Sequence, residues 1–267
     1  MIAGIDIGST TTKAVALAAN EIVCRLKTKA VDAITSATGI LGKLTLEKGI
    51  PISEIERIII TGVGAGKIHG DIFAIPTRKV DEITSIGRGC LFLQQQERVL
   101  IANIGTGTVF ITATQERITH LGGTGVGGGT IMGLAKVLLK TTDFANIMRM
   151  AGKGDLRNVD LLIGDIADEG ISFLKSDATA ANFAKMLDTA REEDIALGLI
   201  NMTYQVIGML AVFAAQGQGY TSVVVTGNGS NNRIGQKILS EISNLYPVAF
   251  VFPADAEYAT AIGAALS

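Results

Sequence analysis

Short apolar runs that break at glycine recur along this chain. Residues 2–7 read Ile-Ala-Gly-Ile-Asp-Ile and run into Gly8, Ser9, Thr10 and Thr11; residues 12–18 and 21–27 follow with strand-like composition. Apolar runs bounded by glycine and hydroxyl residues predict buried strands, so three strands are expected over 1–27. Over 31–48 the period changes, with Ile34, Ile40, Leu41, Leu44 and Leu46 at helical spacing. Residues 55–61 are again a continuous apolar run, followed by Gly62-Val63-Gly64-Ala65-Gly66, and a helix carrying Glu82 is expected over 81–94.

At Val99 the pattern restarts. Residues 99–103 predict a strand, Gly105-Thr106-Gly107-Thr108 a turn, and 109–114 and 117–121 two more strands. A glycine loop over 122–129 then opens onto a helix over 130–140. Helices are expected through much of 141–216. Residues 222–226 predict a buried strand ending in Gly227-Asn228-Gly229-Ser230, followed by a helix over 231–245, a last strand over 248–252 and a small-residue helix over 257–266. The alternation argues for an α/β protein. The two halves begin alike, a sign of internal duplication, and two lobes are expected, 1–97 and 98–267, sharing a cleft.

Composition narrows the function. The chain has 267 residues, 48% apolar and 18% charged, with net charge −2, enough for well-filled cores and no sign of a nucleic acid or acidic membrane as partner. Two cysteines, Cys24 and Cys90, with no CxxC argue against a disulfide framework or a cysteine-rich metal site. The apolar stretch 200–215 is interrupted by Asn201, Thr203, Gln205 and Gly208, which fits a buried helix better than a membrane span. No leader is read before Ile2, and a cytoplasmic location is expected.

The 32 glycines gather at strand ends, as in loops lining a cleft. Glycine lets backbone approach phosphate oxygens, and neighbouring N–H and hydroxyl groups donate to them. Two such hairpins suit a nucleoside triphosphate held between them. Asp6, at a strand end, is placed to hold Mg²⁺ with its waters. No Gly-x-x-x-x-Gly-Lys-Ser/Thr loop occurs, so this is not a Walker site. Seven glycines lie among residues 122–133, and free N–H groups at the start of the following helix are expected to form an anion site.

The two halves with their phosphate hairpins resemble the actin/hexokinase/Hsp70 superfamily of ATP-dependent phosphotransferases. That resemblance implies a duplicated ribonuclease-H-like (actin-like ATPase) fold. The second half is more specific. Asn103-Ile-Gly-Thr-Gly-Thr108, Leu121-Gly-Gly-Thr-Gly-Val-Gly-Gly-Gly-Thr-Ile-Met-Gly-Leu134, Thr142-Asp143-Phe144, Gly154-Asp155, Val159-Asp160-Leu161 and Asp177-Ala-Thr-Ala-Ala-Asn-Phe183 resemble the type II pantothenate kinases, as does Val80-Asp-Glu-Ile83. The first hairpin is also similar to that of the activator ATPases of 2-hydroxyacyl-CoA dehydratases, the alternative reading. Those activators hold a [4Fe–4S] cluster through two cysteines per chain. Cys24 and Cys90 do not sit in that family's contexts, and its Gly-Gly-Gln-Asp motif is replaced by Gly105-Thr-Gly-Thr108. A further alternative is a kinase of the same fold for a different small hydroxyl compound.

The kinase resemblance implies Mg²⁺, ATP as cosubstrate, a pantothenate-like acceptor, the first step of coenzyme A biosynthesis and a homodimer. It implies Glu82 as the general base; by itself Glu82 reads equally as a helix-start residue, a role Asp81 fits better. It implies phosphate contacts from Asp6, Gly8, Ser9, Thr10, Lys13, Gly105, Thr106, Gly107 and Thr108. Gly127, Gly128, Gly129, Gly227, Asn228, Gly229 and Ser230 would form ATP-binding loops. The acceptor would meet His120, Gly122, Gly123, Thr124 and Gly125. In that family an arginine grips the substrate carboxylate where His120 stands, and Arg117, three residues away, would face the opposite side unless a bulge intervened. The Ala-rich helix around Gly263 reads as close packing, and His69 carries no signal.

Overall fold

The first glycine-ended run folds as β1 (Ile2–Ile7), and the chain turns at Gly8–Thr10 into β2 (Thr11–Ala18) and β3 (Glu21–Lys29). The computed structural model describes residues 1–167 and 175–267. It continues with α1 (Ala33–Lys48), β4 (Arg57–Thr61), β5 (Thr77–Lys79) and α2 (Glu82–Gln94). The second half holds β6 (Arg98–Ile104), β7 (Thr108–Thr114), β8 (Ile118–Thr124), α3 (Gly128–Leu138), α4 (Phe144–Ala151), β9 (Leu161–Leu162), α5 (Ile163–Ile166) and β10 (Thr179–Ala181). It ends with α6 (Glu192–Gln218), β11 (Ser222–Thr226), α7 (Arg233–Ser243), β12 (Ala249–Val251) and α8 (Ala259–Ala265).

Two five-stranded sheets have the orders β3-β2-β1-β4-β5 and β12-β11-β6-β7-β8. In each, a three-stranded antiparallel meander is extended by two parallel strands. The duplication expected from the sequence is therefore present in the topology. One face of the first sheet buries Ala3, Ile5 and Ile7 with Ile40, Leu41 and Leu44 of α1. One face of the second buries Leu100, Ala102 and Ile104 against α3, α6 and α7. Helix α6 is long and apolar enough to cross a membrane, but it packs into this second core through residues such as Leu199, Ile207 and Ala211.

Between the sheets lie two crossed helices, and each packs on the other half's sheet. Ile86, Cys90 and Leu91 of α2 pack on Val99, Ile101, Ile111 and Ala113 of the second sheet. Ala261, Ile262 and Ala265 of α8 pack on Val15 and Leu17 of the first. Their crossing needs glycine. A Cβ on Gly263 would overlap the Ser85 carbonyl oxygen, and one on Gly89 the Ala259 carbonyl oxygen. In contrast, a Cβ on Gly42 of α1 would meet nothing within 4 Å. The two alanine substitutions should thus have opposite signs. Gly42→Ala raises stability by up to ~1 kcal/mol through helix propensity. Gly263→Ala lowers it by about 1–3 kcal/mol or more, because backbone rather than a side chain must give way. Denaturant midpoints of the two variants check this.

Several boundaries differ from the sequence reading. Ile34 and Leu46 of α1 are solvent-exposed, and Ala33, Ser36 and Ala37 take the inward places beside Ile40, Leu41 and Leu44. Helix α3 starts at Gly128 rather than 130, and Gly122–Thr124 belong to β8. Thr108 begins β7 instead of closing a turn. Strand β5 and the β9–β10 ladder were not read from the sequence, being only two or three residues long. The part of the helical expectation that falls on 168–174 lies outside the described residues.

Candidate functional site

The cleft is built on strand register. Asp6 on β1 lies directly opposite Lys13 on β2, so both side chains rise from one face of the first sheet. That face is covered by α8, and at its end it opens into a cleft of about 410 Å³. The lining includes Asp6, Gly8, Ser9, Thr10, Lys13, Glu82, Gly105, Thr106, Gly107, Thr108, His120, Gly123, Thr124, Gly227 and Asn228. Residues more than a hundred positions apart thus meet in one place.

Lys13 is 4% exposed and Asp6 8%, yet among the described residues neither side chain has a hydrogen-bond or ion-pair partner. Glu82 likewise has none. Buried charges without partners are costly, and each shows it. Burial raises the Asp6 carboxyl to about 7 against the attraction of Lys13. Burial lowers the Lys13 ammonium, with Asp6 opposing. Burial and the neighbouring Asp81 raise Glu82, with Lys13 opposing. A cation and a polyphosphate supplied to the cleft would relieve all three.

The hairpin tips supply neutral donors. Gly8 N–H donates to the Thr11 carbonyl (3.1 Å) and Gly105 N–H to the Gly107 carbonyl (2.8 Å), closing the two turns. The N–H groups of Ser9, Thr10, Thr106 and Gly107 find no acceptor among the described residues. The tips touch through Ser9 Oγ and Thr106 Oγ1 at 2.7 Å, and Asn228 Nδ2 donates to Thr11 Oγ1 at 2.9 Å. The free donors are therefore at the hairpins, and the expected anion site at the start of α3 is overturned. Gly128 and Gly129 N–H donate to the Gly105 and Thr106 carbonyls, both at 2.9 Å, and Gly127 N–H to Thr130 Oγ1. The helix start is used to pin the second hairpin.

Asp81 caps α2, accepting from Thr84 N–H at 2.9 Å, which leaves Glu82 as the first helical residue beside the cleft. His120 reaches the cleft from β8, where a bulge at Leu121 shifts the pairing between Phe110–Gly122 and Ile111–His120. The bulge follows His120, so Arg117 is not brought round. It lines a separate cavity of about 610 Å³ with Arg88 and Glu116.

A second cavity of about 400 Å³ adjoins the first, sharing Thr10, Thr11, Gly105, Thr106 and Asn228. Gly128, Gly129, Gly229, Ile131, Met132, Phe144, Tyr204 and Asn232 give it a mixed apolar and amide wall. Four expected site residues, Gly122, Gly125, Gly127 and Ser230, line neither cavity. Ser230 is buried, donating to the Gly227 carbonyl at 2.7 Å. Sequence reasoning missed Thr260 and gave Asn103 no role. Asn103 is the duplicate of Asp6, facing Thr226 as Asp6 faces Thr61, and its Oδ1 accepts from Thr226 at 3.0 Å. Its place at the end of β6 was the available signal.

Duplicated sheets, two opposed glycine hairpins and a central cleft define the actin-like phosphotransferase class. Solved structures agree on the fold. An activator of 2-hydroxyisocaproyl-CoA dehydratase from Clostridium difficile with bound ADPNP superposes with a TM-score of 0.70 at 18% identity, covering 99% of this chain and 92% of that one. A ROK family glucokinase from Streptomyces griseus in complex with glucose and AMPPNP gives 0.63 at 13%, covering 99% and 97%. The Fumble family matches residues 98–267. A type II pantothenate kinase of Oceanobacillus iheyensis is 32% identical over 217 residues, 78% of this chain and 80% of the relative. One from Bacillus anthracis is 27% identical over 98% and 96%. The chain belongs to the type II pantothenate kinase family.

Proposed function

We propose that this protein transfers the γ-phosphoryl group of ATP to the primary hydroxyl of pantothenate, the first step of coenzyme A biosynthesis. The observation that carries this reading is the convergence of Asp6, Lys13 and Glu82, all without a partner among the described residues, on a cleft flanked by two hairpins whose tip N–H donors are likewise free among those residues. The adjoining cavity takes the nucleoside, with Tyr204, Phe144 and Met132 along its wall. The phosphates then run between the hairpins toward Lys13. The acceptor lies beside Glu82, His120, Gly123 and Thr124. Glu82, already raised by burial, accepts the hydroxyl proton, and the lobes exclude water that would compete for the phosphoryl group.

The residues present fit Mg²⁺. Asp6 is a buried carboxylate with no donor among the described residues, and a hard cation with several waters needs only one or two such ligands. Bound there with the phosphates, the ion would neutralise charge developing on the transferred group. The activator reading finds less support. Cys24 and Cys90 are both buried, in separate cores, and burial raises both thiols, so neither is presented to a shared cluster. A homodimer is supported by Val137, Leu138, Leu210 and Phe213, apolar side chains left exposed on α3 and α6. A cytoplasmic protein fits α6 being taken up in the core.

The test is ADP release from Mg-ATP with pantothenate, pantetheine, pantoate or no acceptor. Stimulation by pantothenate is expected, and ATP binding without it would mean a rebuilt acceptor site. His120→Arg should lower the KM for pantothenate about tenfold, because guanidinium offers carboxylate a permanent bidentate charge. Pantetheine, which has no carboxylate, should show no gain. An unchanged KM removes His120 from the acceptor site.

A further inference from the structure

The nucleoside cavity has one charged side chain in its wall, Lys27 of β3. Register places it directly opposite Lys13 across the β2–β3 pair, so Lys13 and Lys27 stand side by side on the same face. Directly opposed like charges are unfavourable in a sheet unless an anion joins them. Lys27 is instead held by Glu257, Nζ to Oε2 at 2.7 Å, with the two side chains 40% and 17% exposed. Glu257 lies in a tight turn over residues 256–258, where the Ala256 carbonyl accepts from Gly227 N–H at 3.2 Å. The anion that holds Lys27 is thus tied to the loop whose Asn228 lines both cavities.

A neighbouring pair provides a contrast. Arg25, also on β3, binds Asp255 through two contacts of 2.5 and 2.6 Å and lines neither cavity. If these ion pairs served only to tie β3 to the turn, nothing would require one of their cations to face the nucleotide space.

We propose that Lys27 is a second polyphosphate ligand, held in reserve by Glu257 and exchanged from that carboxylate onto the phosphate oxygens when the nucleotide binds. The inference rests on reading the paired cavities as the nucleotide site, and it adds a residue and a switch to that reading. A partly exposed lysine–carboxylate pair is weakly held. The flexible lysine stem allows the ammonium to swing, and a polyphosphate carries several charges against the single one of Glu257. Two lysines in register then bracket one anion, and Glu257 is freed from β3 as the nucleotide arrives while the Arg25–Asp255 pair still holds the start of the turn.

The experiment is calorimetric titration of Mg-ATP, Mg-ADP and adenosine into the full chain without acceptor. It compares the unaltered protein with Lys27→Gln, Lys27→Arg, Glu257→Gln and the Lys27→Gln/Glu257→Gln double variant. Lys27→Gln should weaken ATP and ADP about tenfold or more and adenosine less than about twofold, since only phosphate loses a partner. Lys27→Arg should restore most of the affinity. Glu257→Gln should tighten ATP several-fold, roughly the competition of one exposed ion pair, and the gain should vanish in the double variant. Arg25→Gln, measured alongside, should lower the unfolding midpoint and leave all three affinities in place. Equal weakening of ATP and adenosine in Lys27→Gln, unchanged ATP affinity, or shifts of the same sign in Lys27→Gln and Glu257→Gln would overturn the proposal. Failure of the unaltered protein to bind any nucleotide would instead overturn the reading of the site itself.

Discussion

Glu82→Gln should lower phosphoryl transfer to the acceptor by about a hundred- to ten-thousandfold, the usual range for loss of a general base, while ATP affinity stays within about threefold. The separation follows from where Glu82 sits. Asp81 carries the helix-capping duty, bonding Thr84 N–H at 2.9 Å and the Thr84 hydroxyl at 3.1 Å. Glu82 has no such duty and lines the cleft with no partner among the described residues. The glutamine keeps the shape and removes only the ability to take a proton. Its carboxyl is raised from the ordinary value by burial, so unaltered enzyme should gain rate as pH rises through that higher value, and the variant should lose that limb. Rapid-quench measurement of the phosphorylated acceptor, beside ATP titration, separates the two effects. Turnover equal to that of the unaltered protein would remove Glu82 as the base.

Asp6→Asn should abolish activity and, above about pH 7, make the nucleotide-free protein more stable. The folded-state value of Asp6 is about 7 against an ordinary 3.8. Between those values the unfolded chain releases the proton while the folded chain holds it. Stability therefore falls as pH rises through this window, by up to about 4 kcal/mol, and levels off above it. Asparagine carries no such penalty. From pH 5 to pH 8 the thermal midpoint should drop for the unaltered protein and drop less for Asp6→Asn. Nucleotide binding should run the other way. Mg-ATP affinity should fall as pH goes below about 7, since Asp6 must ionise to hold the cation, and the variant should lose that dependence. Equal midpoint shifts in the two proteins would sink the account of a strained carboxylate. If both halves hold, the site gives up stability for function, as binding sites commonly do.

Much of the fold was legible because glycine and apolar patterning coincided. The first strand was read at its observed bounds, and the restart at Val99 gave the duplication. What failed did so for local reasons. Ile34 and Leu46 looked inward by residue type, yet the stripe that faces the sheet is completed by Ala33, Ser36 and Ala37, whose small side chains allow close approach. The glycines after His120 read as one loop, though a strand can run through Gly122 and Gly123 when its partner β7 supplies the ladder. The supposed anion site at α3 failed because its donors, Gly128 and Gly129 N–H, were claimed by the carbonyls of Gly105 and Thr106 in the preceding hairpin, a pairing no local pattern reveals. Strand register accounts for the part of the site that was least visible. Nothing in the spacing of Asp6, Lys13 and Lys27 announces that they form one row, and only the two hairpin turns bring them into line.

The crossing of α2 and α8 has a consequence for synthesis. One face of the first sheet is covered by α8, which is translated after every other described element of the fold. The nascent first lobe therefore waits with Val15 and Leu17 uncovered while the whole second lobe is translated. The amino-terminal half cannot mature by itself, and α8, at the far end of this fold, acts as the closing key for β1 and β2.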